Sequence, residues 1–381
     1  MRGFIGVFLL LSVLGGACYY LAVRLYQGLA CFFPEMRFWP IVVIVGAVVV
    51  LLVLGFVRGW MPLPQGVKHM LGWAGGYGMG ICMYLLLFTA AADLFLLAPK
   101  LMKLPFTAHP LFKGFVTLGV LLLTAATCIG GFVNARNIRH VSYDIHLQGK
   151  QDLSDLKVVM ISDLHLGSVG SENRLEKIVD EINGLTPDVV CIAGDFFDTD
   201  FGSIRDPDRA VETLHKLRST YGVYACLGNH DGGQTHNQMK AFLEQANIRL
   251  LDDASTVIDD RLVLVGRLDG SAIGGYADAK RKPLSEFFLR EDLSLPVIVM
   301  DHNPSHIDEY TTEADLILSG HTHKGQVFPG NLITNGMYTV DYGYYQKDAD
   351  SPHVIVSSGV GTWGMPIRVG SNCEIVTIHF P

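Results

Sequence analysis

The sequence has no excess of positive charge. Its 381 residues include 29 Lys and Arg against 37 Asp and Glu, which gives a formal net charge of −8. No basic patch interleaved with aromatic residues occurs along the chain. Because nucleic-acid-binding surfaces depend on clustered positive charge, no nucleic-acid partner is expected.

Cysteine is sparse, with seven residues in the whole chain, and internal repeats and low-complexity tracts are absent. Four of the cysteines lie in or beside long apolar runs near the amino terminus. Cys191 and Cys226 lie in predicted strands, as small buried hydrophobic residues do. The spacing indicates no disulfide framework, which favours a reducing compartment.

Hydrophobic residues are abundant, at 49% of the chain, and they concentrate before about residue 134. Four apolar runs there are long enough to cross a bilayer, which takes about 20 residues of helix: 4–23, 40–57, 71–98 and 111–133. A cleaved signal peptide is disfavoured for the first run, because three further spans follow it. We therefore predict a multi-pass protein of the cell membrane, in contact with membrane lipids.

The membrane orientation is not determined by charge. Lys and Arg residues between the runs divide evenly between the two sides, so the positive-inside rule favours neither orientation. The cysteine usage gives a slight preference for a cytoplasmic location of the remaining chain.

The third apolar run contains two features with competing interpretations. Five glycines between Gly72 and Gly80 form a small-residue face, which favours close helix packing. Asp93 is the only acidic residue well inside a run. A carboxylate there marks a functional candidate, but its position near the end of the run favours a place at the membrane interface over a transport role.

From residue 154 the pattern changes to short apolar runs alternating with amphipathic segments, which is typical of βαβ units. The predicted helices cover 171–184, 207–219 and 238–246. Strands are predicted at 158–161, 188–193, 222–227, 248–250, 255–258, 262–267, 296–300 and 315–319. Segments 331–334, 353–357 and 374–380 are expected to complete a second sheet.

Five of these strands end in side chains that can bind a metal. The donors are Asp163, His165, Asp195, Asn229, His302, His321 and His323. The carboxyl ends of parallel strands meet at one edge of a sheet, and Asp163 and His165, two apart on an extended backbone, are expected to point the same way.

Seven donors exceed what one ion of four to six ligands requires. Two ions about 3.5–4 Å apart, sharing one carboxylate, would use them all and would activate a water for attack on a phosphoester. Mixed carboxylate, amide and imidazole ligands suit Mn, Fe or Zn. The sequence therefore predicts a dinuclear centre of divalent ions whose identity it does not specify.

Five motifs occur in a fixed order from residue 157: Asp-x-His, Gly-Asp-x-x-Asp, Gly-Asn-His-Asp, a lone His after a strand, and Gly-His-x-His. Together they resemble the calcineurin-like metallophosphoesterases. The closing segment 359–368 is similar to the membrane-associated bacterial branch of that family. This resemblance implies an α/β fold, a four-layer αββα sandwich at 157–381, preceded by four transmembrane helices at 1–135 and a linker at 136–156.

The resemblance also implies roles for individual residues. The first ion would be held by Asp163, His165, Asp195 and His323, and the second by Asp195, Asn229, His302 and His321. Asp195 would bridge the two ions. His230 would stabilise the phosphoryl oxygens or protonate the leaving group, and Asp231 would orient its imidazole. Asp198 would lie behind the metal ligands without binding an ion itself.

The implied activity is that of a metal-dependent phosphoric ester hydrolase, most simply a phosphodiesterase. One alternative is a lipid-linked pyrophosphate hydrolase of the UDP-diacylglucosamine type, for which Phe196 and Phe197 would contact acyl chains unless they belong to the core. Another is a transport or sensor protein with a regulatory phosphoesterase-like domain, supported by Asp93. A scaffold with a dead site is disfavoured, because no ligand is missing.

Several other polar residues of this region are less informative. His215 and His236 are expected to be solvated, and His306 is at most a substrate-side candidate. Lys324 would either contact phosphate or narrow the pocket mouth. Nothing in the sequence predicts the oligomeric state.

Overall fold

The computed structural model describes residues 2–109, 111–147, 150–167, 169–198, 200–276, 279–286, 288 and 294–381. Residues 148 and 149 of the predicted linker lie outside this set. The chain folds as two units, residues 1–131 and 132–381.

The first unit is helical. Its helices are α1 (Arg2–Leu29), α2 (Phe38–Val57), α3 (Gln65–Phe95), α4 (Leu97–Leu101) and α5 (Phe112–Arg136), the last of which continues into the second unit. Of the described residues, those of α2, α3 and α5 form helices long and apolar enough to cross a membrane. The predicted run 4–23 lies within α1, whose side chains are described from Ser12 onward, so its membrane crossing stays a prediction.

Glycines allow α2 and α3 to approach each other closely. A Cβ built on Gly75 would lie 3.1 Å from Cα of Gly55, and one built on Gly55 would lie 2.7 Å from the carbonyl oxygen of Leu71. Small residues let helix backbones meet in this way. The packing role predicted for the glycine-rich face of α3 is therefore confirmed.

The second unit contains two mixed sheets. Among the described residues its strands are β1 (Ile138–Asp144), β2 (Lys157–Ile161), β3 (Val189–Ala193), β4 (Val223–Cys226), β5 (Arg249–Leu250), β6 (Ala254–Ile258), β7 (Leu262–Gly266), β8 (Val297–Met300), β9 (Leu316–Ser319), β10 (Gly343–Tyr345), β11 (His353–Val356) and β12 (Cys373–His379). The helices are α6 (Glu172–Gly184), α7 (Pro207–Leu214), α8 (His236–Gln245) and α9 (Gly330–Met337).

The strand order is β1-β12-β2-β3-β4-β5 in the first sheet and β10-β11-β9-β8-β7-β6 in the second. Strands β2 to β5 are mutually parallel, as are β7, β8, β9 and β11. Parallel strands buried on both faces need nearly continuous apolar sequence. The runs of Val, Ile and Leu in β2, β3, β8 and β9 have that character, and their side chains are almost all fully buried.

Three apolar clusters hold the layers together. One lies between the first sheet and helices α6 to α8, and it includes Val159, Ile192, Leu175 and Phe242. A second lies between the sheets and includes side chains of alternate strand positions such as Met160 and Ile298. The third covers the outer face of the second sheet, where Ile307 and Tyr310 pack on its strands. Because successive residues of a strand point to opposite faces, one run supplies two clusters.

The structure corrects the predicted organisation in three places. Residues 138–144, assigned to a linker, form strand β1, which pairs in parallel with β12. Strand β12 lies in the first sheet, not the second, because it pairs with both β1 and β2. Residues 331–334, predicted as a strand, belong to helix α9. The two apolar residues of that segment do not distinguish helix from strand, and register between distant strands leaves no local signal.

Candidate metal centre

The predicted metal ligands lie in the turns that follow five strands. Asp163 and His165 follow β2, Asp195 follows β3, Asn229 follows β4, His302 follows β8, and His321 and His323 follow β9. All of them except His321 are more than nine-tenths buried. The two sheets thus bring together side chains that are far apart in sequence, such as Asp163 and His323.

The backbone at these turns is in the left-handed region. The φ angle is 54° at Asp163, 48° at His165, 51° at Asp195, 72° at His321 and 50° at His323. A residue with a side chain pays roughly 1–2 kcal/mol for this conformation. The expected extended geometry of Asp163 and His165 is therefore wrong, since β2 ends at Ile161. Strain of this kind concentrates at functional sites.

The first group of donors contains Asp163, His165 and His323, whose ligand atoms all lie within 4.8 Å of one another. The Nε2 atoms of the two histidines are 3.1 Å apart. Nε2 of His323 also lies 3.3 Å from Oδ1 of Asp163. Nε2 of His165 is 3.7 Å from Oδ2 of Asp195. Three donors of the predicted first ion site therefore face one another, with Asp195 beside them.

The second group contains Asp195, His302 and His321. Nε2 of His302 lies 3.1 Å from Oδ2 of Asp195. Nδ1 of His321 lies 2.7 Å from Oδ1 of Asn229. Asp195 thus contacts both groups through the same carboxylate oxygen.

The ring of His302 is held by its other nitrogen. Nδ1–H donates to the carbonyl oxygen of Ala193 at 2.9 Å, which leaves Nε2 facing Asp195. Burial is the largest single effect and lowers the pKa of His302, but the carboxylates of Asp195, Asp163 and Asp269 together raise that pKa well above its usual value. Burial conversely raises the pKa of Asp195, and the neighbouring histidines, His302 first, bring it well below its usual value. A cation bound at Nε2 would compete with this proton.

The other three predicted histidine ligands, His165, His321 and His323, have lowered pKa values. Burial lowers the pKa of His165 to about 3 and that of His321 to about 4. Burial, reinforced by the Arg368 charge, lowers the pKa of His323 well below its usual range. The neutral imidazole is the form that ligates metals, so burial favours ligation over protonation at these positions.

The donors fit divalent metal ions. Among the described residues, no hydrogen bond is made by Nδ1 of His165 or by Nε2 of His302, although both atoms are buried. Buried polar atoms are normally paired, and imidazole nitrogen with carboxylate oxygen is the donor mixture that binds Mn, Fe and Zn. The site therefore supplies donors of the right chemical type, with Nε2 of His302 facing a carboxylate oxygen of Asp195 at 3.1 Å.

His230 lies at the edge of the first group. Its ring meets that of His165 edge-on, with centroids 5.0 Å apart, and meets the ring of Trp363 at 5.8 Å. Its backbone N–H donates to Oδ1 of Asp195 at 2.8 Å. Oδ1 of Asp198 lies 3.9 Å from its Nδ1 and 3.7 Å from Nδ1 of His165. The imidazole is thus held beside the donors but outside the two groups that Asp163 and Asp195 form.

Asp231 has a different role from the one expected. Its fully buried carboxylate accepts backbone N–H groups from Phe196 at 3.2 Å, Phe197 at 2.8 Å and Gly228 at 2.8 Å. Burial, with the Asp195 charge, raises the pKa of Asp231 to about 7. Asp231 therefore ties the turn after β3 to the turn after β4, and Asp198 is the carboxylate placed to orient His230.

The structure also decides the open assignments of other side chains. Phe196 and Phe197 are fully buried in the core, so they do not contact acyl chains. His236 is buried, with Nδ1 3.0 Å from the carbonyl oxygen of Asp231, which contradicts the expected solvation. His215 is exposed, as expected. Nζ of Lys324 lies 3.9 Å from the centre of the Tyr342 ring.

Two charged residues near the ligands had no role in the sequence analysis. Arg368 is buried and donates to the carbonyl oxygen of His323 at 3.0 Å, with a second N–H 3.0 Å from Nδ1 of that ring. The second is Asp269, which is also buried. Its Oδ1 accepts hydrogen bonds from Ser271, and its charge interacts with His302 and His321. Asp269 follows strand β7, just as the predicted ligands follow their strands. This position in the sequence could have identified it as a residue near the site.

An N–H donated to Nδ1 of His323 puts the proton of the neutral ring on Nε2. A cation could bind Nε2 only if that proton leaves the ring or moves to Nδ1. In the second case Nδ1 no longer accepts the hydrogen bond of Arg368.

Comparison with known proteins places this site in a family. Residues 156–325 match the model of the calcineurin-like phosphoesterase family. An uncharacterized metallophosphoesterase of Campylobacter jejuni is 31% identical over 270 residues, which cover 69% of this chain and 68% of that protein.

Two further relatives have more specific names. A transmembrane protein with metallophosphoesterase domain from Bos taurus is 29% identical over 68% of this chain and 60% of its own length. The UDP-2,3-diacylglucosamine pyrophosphatase LpxG of Chlamydia trachomatis is 25% identical over 55% of this chain and 79% of its own. The chain spans 60% of the length of two other curated relatives that it matches.

The three apolar helices, together with relatives that are named transmembrane proteins, indicate membrane association. The matched region contains the strands and turns that carry the two donor groups. This chain is a member of the calcineurin-like phosphoesterase family.

Proposed function

We propose that the second unit is a dinuclear metal-dependent phosphoesterase acting at a membrane. The observation that carries the proposal is the presence of two adjacent donor groups, with one carboxylate oxygen of Asp195 lying 3.1 Å from His302 in its own group and 3.7 Å from His165 in the other. Two such groups provide for two ions, whereas a single structural ion would need only one of them.

The ligands divide between the two ions as the geometry suggests. Asp163, His165 and His323 would hold one ion, His302, His321 and Asn229 the other, and Asp195 both. When bound, two divalent ions supply positive charge for the phosphoryl oxygens and lower the pKa of a water molecule. The protein's part is to keep the donors rigid, which the buried turns and their backbone hydrogen bonds do.

His230 provides the proton chemistry in this proposal. Its imidazole lies beside His165 and outside the proposed ligand set, and it would donate an N–H to a phosphoryl oxygen or a proton to the leaving group. Asp198 lies near its Nδ1 and would fix the ring orientation. Trp363, about half exposed at 49%, packs against the same ring and would border the substrate.

Hydrolysis assays on the detergent-purified full chain test the proposal. Bis-p-nitrophenyl phosphate and p-nitrophenyl phosphate are offered with Mn²⁺, with Zn²⁺ or with EDTA, and the ratio of the two rates distinguishes diesterase from monoesterase activity. Asp195→Asn and His230→Ala should each reduce metal-dependent turnover by at least about 100-fold. His215→Ala, in an exposed position of the same unit, should leave it unchanged.

A result in which the purified protein binds two ions but hydrolyses neither compound with any metal would count against a general phosphoesterase. Turnover that persists in Asp195→Asn would remove Asp195 from the proposed bridging position.

A lipid-linked pyrophosphate is the substrate class best supported by the comparisons. The support is the similarity to LpxG, which extends over 79% of that protein. The test compares UDP-2,3-diacylglucosamine with a UDP-sugar that lacks acyl chains, using the full chain in detergent. Preference for the acylated compound supports the proposal, and hydrolysis of water-soluble esters alone would exclude it.

The alternative of a transport or sensor protein loses its sequence support. Asp93, on which it rested, is paired with Arg24 and accepts a hydrogen bond from the Tyr20 hydroxyl at 2.7 Å. An intramembrane carboxylate with a complete set of partners has a structural explanation.

We also propose that the second unit faces the cytoplasm. Its three cysteines, Cys191, Cys226 and Cys373, are free thiols buried in the fold. Labelling of an engineered surface cysteine in intact cells by a membrane-impermeant maleimide would contradict this location.

A further inference from the structure

The helical unit contains a pocket that the proposed hydrolysis does not use. It has a cavity volume of about 60 Å³, is open on one side, and is lined by residues of α1, α3, α4 and α5 and of the segment between α4 and α5. Three cations border it, Arg24, Lys100 and Lys113, against one carboxylate, Asp93. A pocket between apolar helices with an excess of positive charge calls for an explanation, because unpaired charge is costly near a bilayer.

The single carboxylate is already neutralised. Nε of Arg24 donates to Oδ2 of Asp93 at 2.6 Å, and a second N–H of the same guanidinium donates to Oδ1. Nζ of Lys100 is 3.9 Å from Oδ1, at the limit of an ion pair. Because Arg24 and Asp93 cancel, the two lysines leave the pocket with a net positive charge.

The start of α5 adds to this positive potential. Phe112, its first residue, and Lys113 both line the pocket, and no acidic residue stands in the first turn of the helix. The amino-terminal end of a helix carries a partial positive charge that attracts anions. In the described part of the chain, no acidic side chain forms an ion pair with Lys113.

The remaining wall is apolar. Leu25, Leu96, Val116 and Val120 line the pocket together with the aliphatic part of the cations. A ligand that neutralises the lysines and also packs against the apolar side chains has an anionic head and a hydrocarbon portion. Basic pockets between membrane helices bind the phosphate head groups of anionic lipids in this way.

We propose that this pocket, bordered by Arg24 of α1, Lys100 of α4 and Lys113 at the start of α5, binds the phosphate of an anionic phospholipid. The Arg24–Asp93 pair fixes the guanidinium at the pocket, and Lys100 and Lys113 supply the charge that the phosphate neutralises. This site is separate from the donors of the second unit and does not depend on the proposed hydrolysis.

The test uses the full chain in nanodiscs made from an equimolar mixture of dioleoylphosphatidylglycerol and dioleoylphosphatidylcholine. After extraction in mild detergent, native mass spectrometry measures the two lipids retained by the protein. The unaltered chain should retain phosphatidylglycerol preferentially. The double variant Lys100→Gln, Lys113→Gln should weaken that retention by about 30-fold. Each lysine near the membrane surface contributes about a fivefold factor to the binding of an anionic lipid.

Lys103→Gln is the matched control. Lys103 lies between α4 and α5, close in sequence to Lys100, but does not line the pocket. It should retain phosphatidylglycerol as the unaltered chain does. Size-exclusion chromatography and helical circular dichroism establish that each variant is folded. If a folded double variant retains as much phosphatidylglycerol as the control, or if the unaltered chain does not distinguish the two lipids, the proposal is overturned.

A second arm identifies the source of the phosphate. Inorganic phosphate is added to the delipidated protein in detergent, and the thermal unfolding midpoint is followed. A rise in the unaltered chain and in Lys103→Gln, but not in the double variant, would support the same anion site with a soluble ligand. An equal rise in all three proteins would place phosphate binding elsewhere and contradict the proposal.

Discussion

The two units pair their carboxylates in opposite ways. In the helical unit Asp93 is paired with Arg24 and hydrogen-bonded to Tyr20, so the protein itself supplies its partners. In the α/β unit Asp195 faces histidines. Nε2 of His302 lies 3.1 Å from its carboxylate but makes no hydrogen bond with a described residue. The first arrangement is complete without an ion. The second is complete only when a cation takes the place of a proton, and this difference separates a structural carboxylate from a candidate ligand.

Glycine also serves the two units differently. Gly55 and Gly75 have ordinary helical backbones and are needed because two helices meet there. Gly194 has φ 76° and lies against the His302 ring, where a Cβ would come within 2.6 Å of the ring atoms. One unit uses glycine for close packing, and the other uses it to turn the chain beside a ligand.

The strongest test of the comparison removes one carboxylate from each unit. Asp195→Asn should lower the affinity of the purified protein for Mn²⁺ or Zn²⁺ by at least about 100-fold, because it weakens a donor of both groups. Asp93→Asn should leave metal content unchanged, since its partners are Arg24 and Tyr20. Inductively coupled plasma mass spectrometry measures the bound metal after dialysis. Full metal content in Asp195→Asn would end the distinction drawn between the two carboxylates.

Asp301 offers a paired charge inside the α/β unit itself. Its buried carboxylate accepts N–H groups of Arg281 at 3.1 and 2.6 Å and the Tyr310 hydroxyl at 2.6 Å. Asp301→Asn removes the buried one of the two carboxylates that pair with Arg281, since Glu309 remains 2.7 Å away, and should reduce the free energy of unfolding by about 1–3 kcal/mol. Denaturant unfolding in detergent measures this loss.

Asp155→Asn is the control for Asp301, because Asp155 is also paired with an arginine, Arg261, but is largely exposed. No measurable change in the free energy of unfolding is expected, since exposed pairs are screened by solvent. Equal effects of the two substitutions would contradict the assignment of Asp301 as a buried structural charge.

Gly194→Ala tests the crowding beside the ligands. The left-handed backbone and the contact with the His302 ring should together reduce the free energy of unfolding by about 2–4 kcal/mol and weaken metal binding. Gly170→Ala carries similar backbone strain, with φ 81°, but nothing lies within 4 Å of its added Cβ. It should cost about 1–2 kcal/mol and leave metal binding unchanged. If both variants bind metal normally, the close approach of Gly194 to His302 has no functional consequence.

The smallest effect is expected for the helix contact. Gly75→Val should push α2 away from α3 and lower the thermal unfolding midpoint of the full chain in detergent, at a cost of about 1–3 kcal/mol. Gly46→Val, on α2 with nothing within 4 Å of an added Cβ, should have little effect. Metal-dependent hydrolysis should survive in both variants. Loss of hydrolysis in Gly75→Val alone would show that the helical unit influences the site.

The sequence was sufficient for features that are local in the chain. Apolar runs followed by Asp, Asn or His marked the strand ends that carry all seven donors, because strand propensity and buried composition are recorded residue by residue. Long apolar runs likewise identified α2, α3 and α5 as helices able to cross a membrane, whereas the span predicted in α1 stays a prediction. The family motifs added the division of the donors between two ions, which stays a prediction.

Tertiary structure decided every feature that joins distant segments. The place of β12 between β1 and β2, the pairing of Arg24 with Asp93, and the contact of Arg368 with His323 have no local signature, because each depends on which surfaces pack together. The carboxylate of Asp231 was likewise assigned to its sequence neighbour His230, but the fold directs it to the backbone of another turn. Sequence records what each residue prefers, whereas packing in three dimensions selects the partner that each residue finally meets.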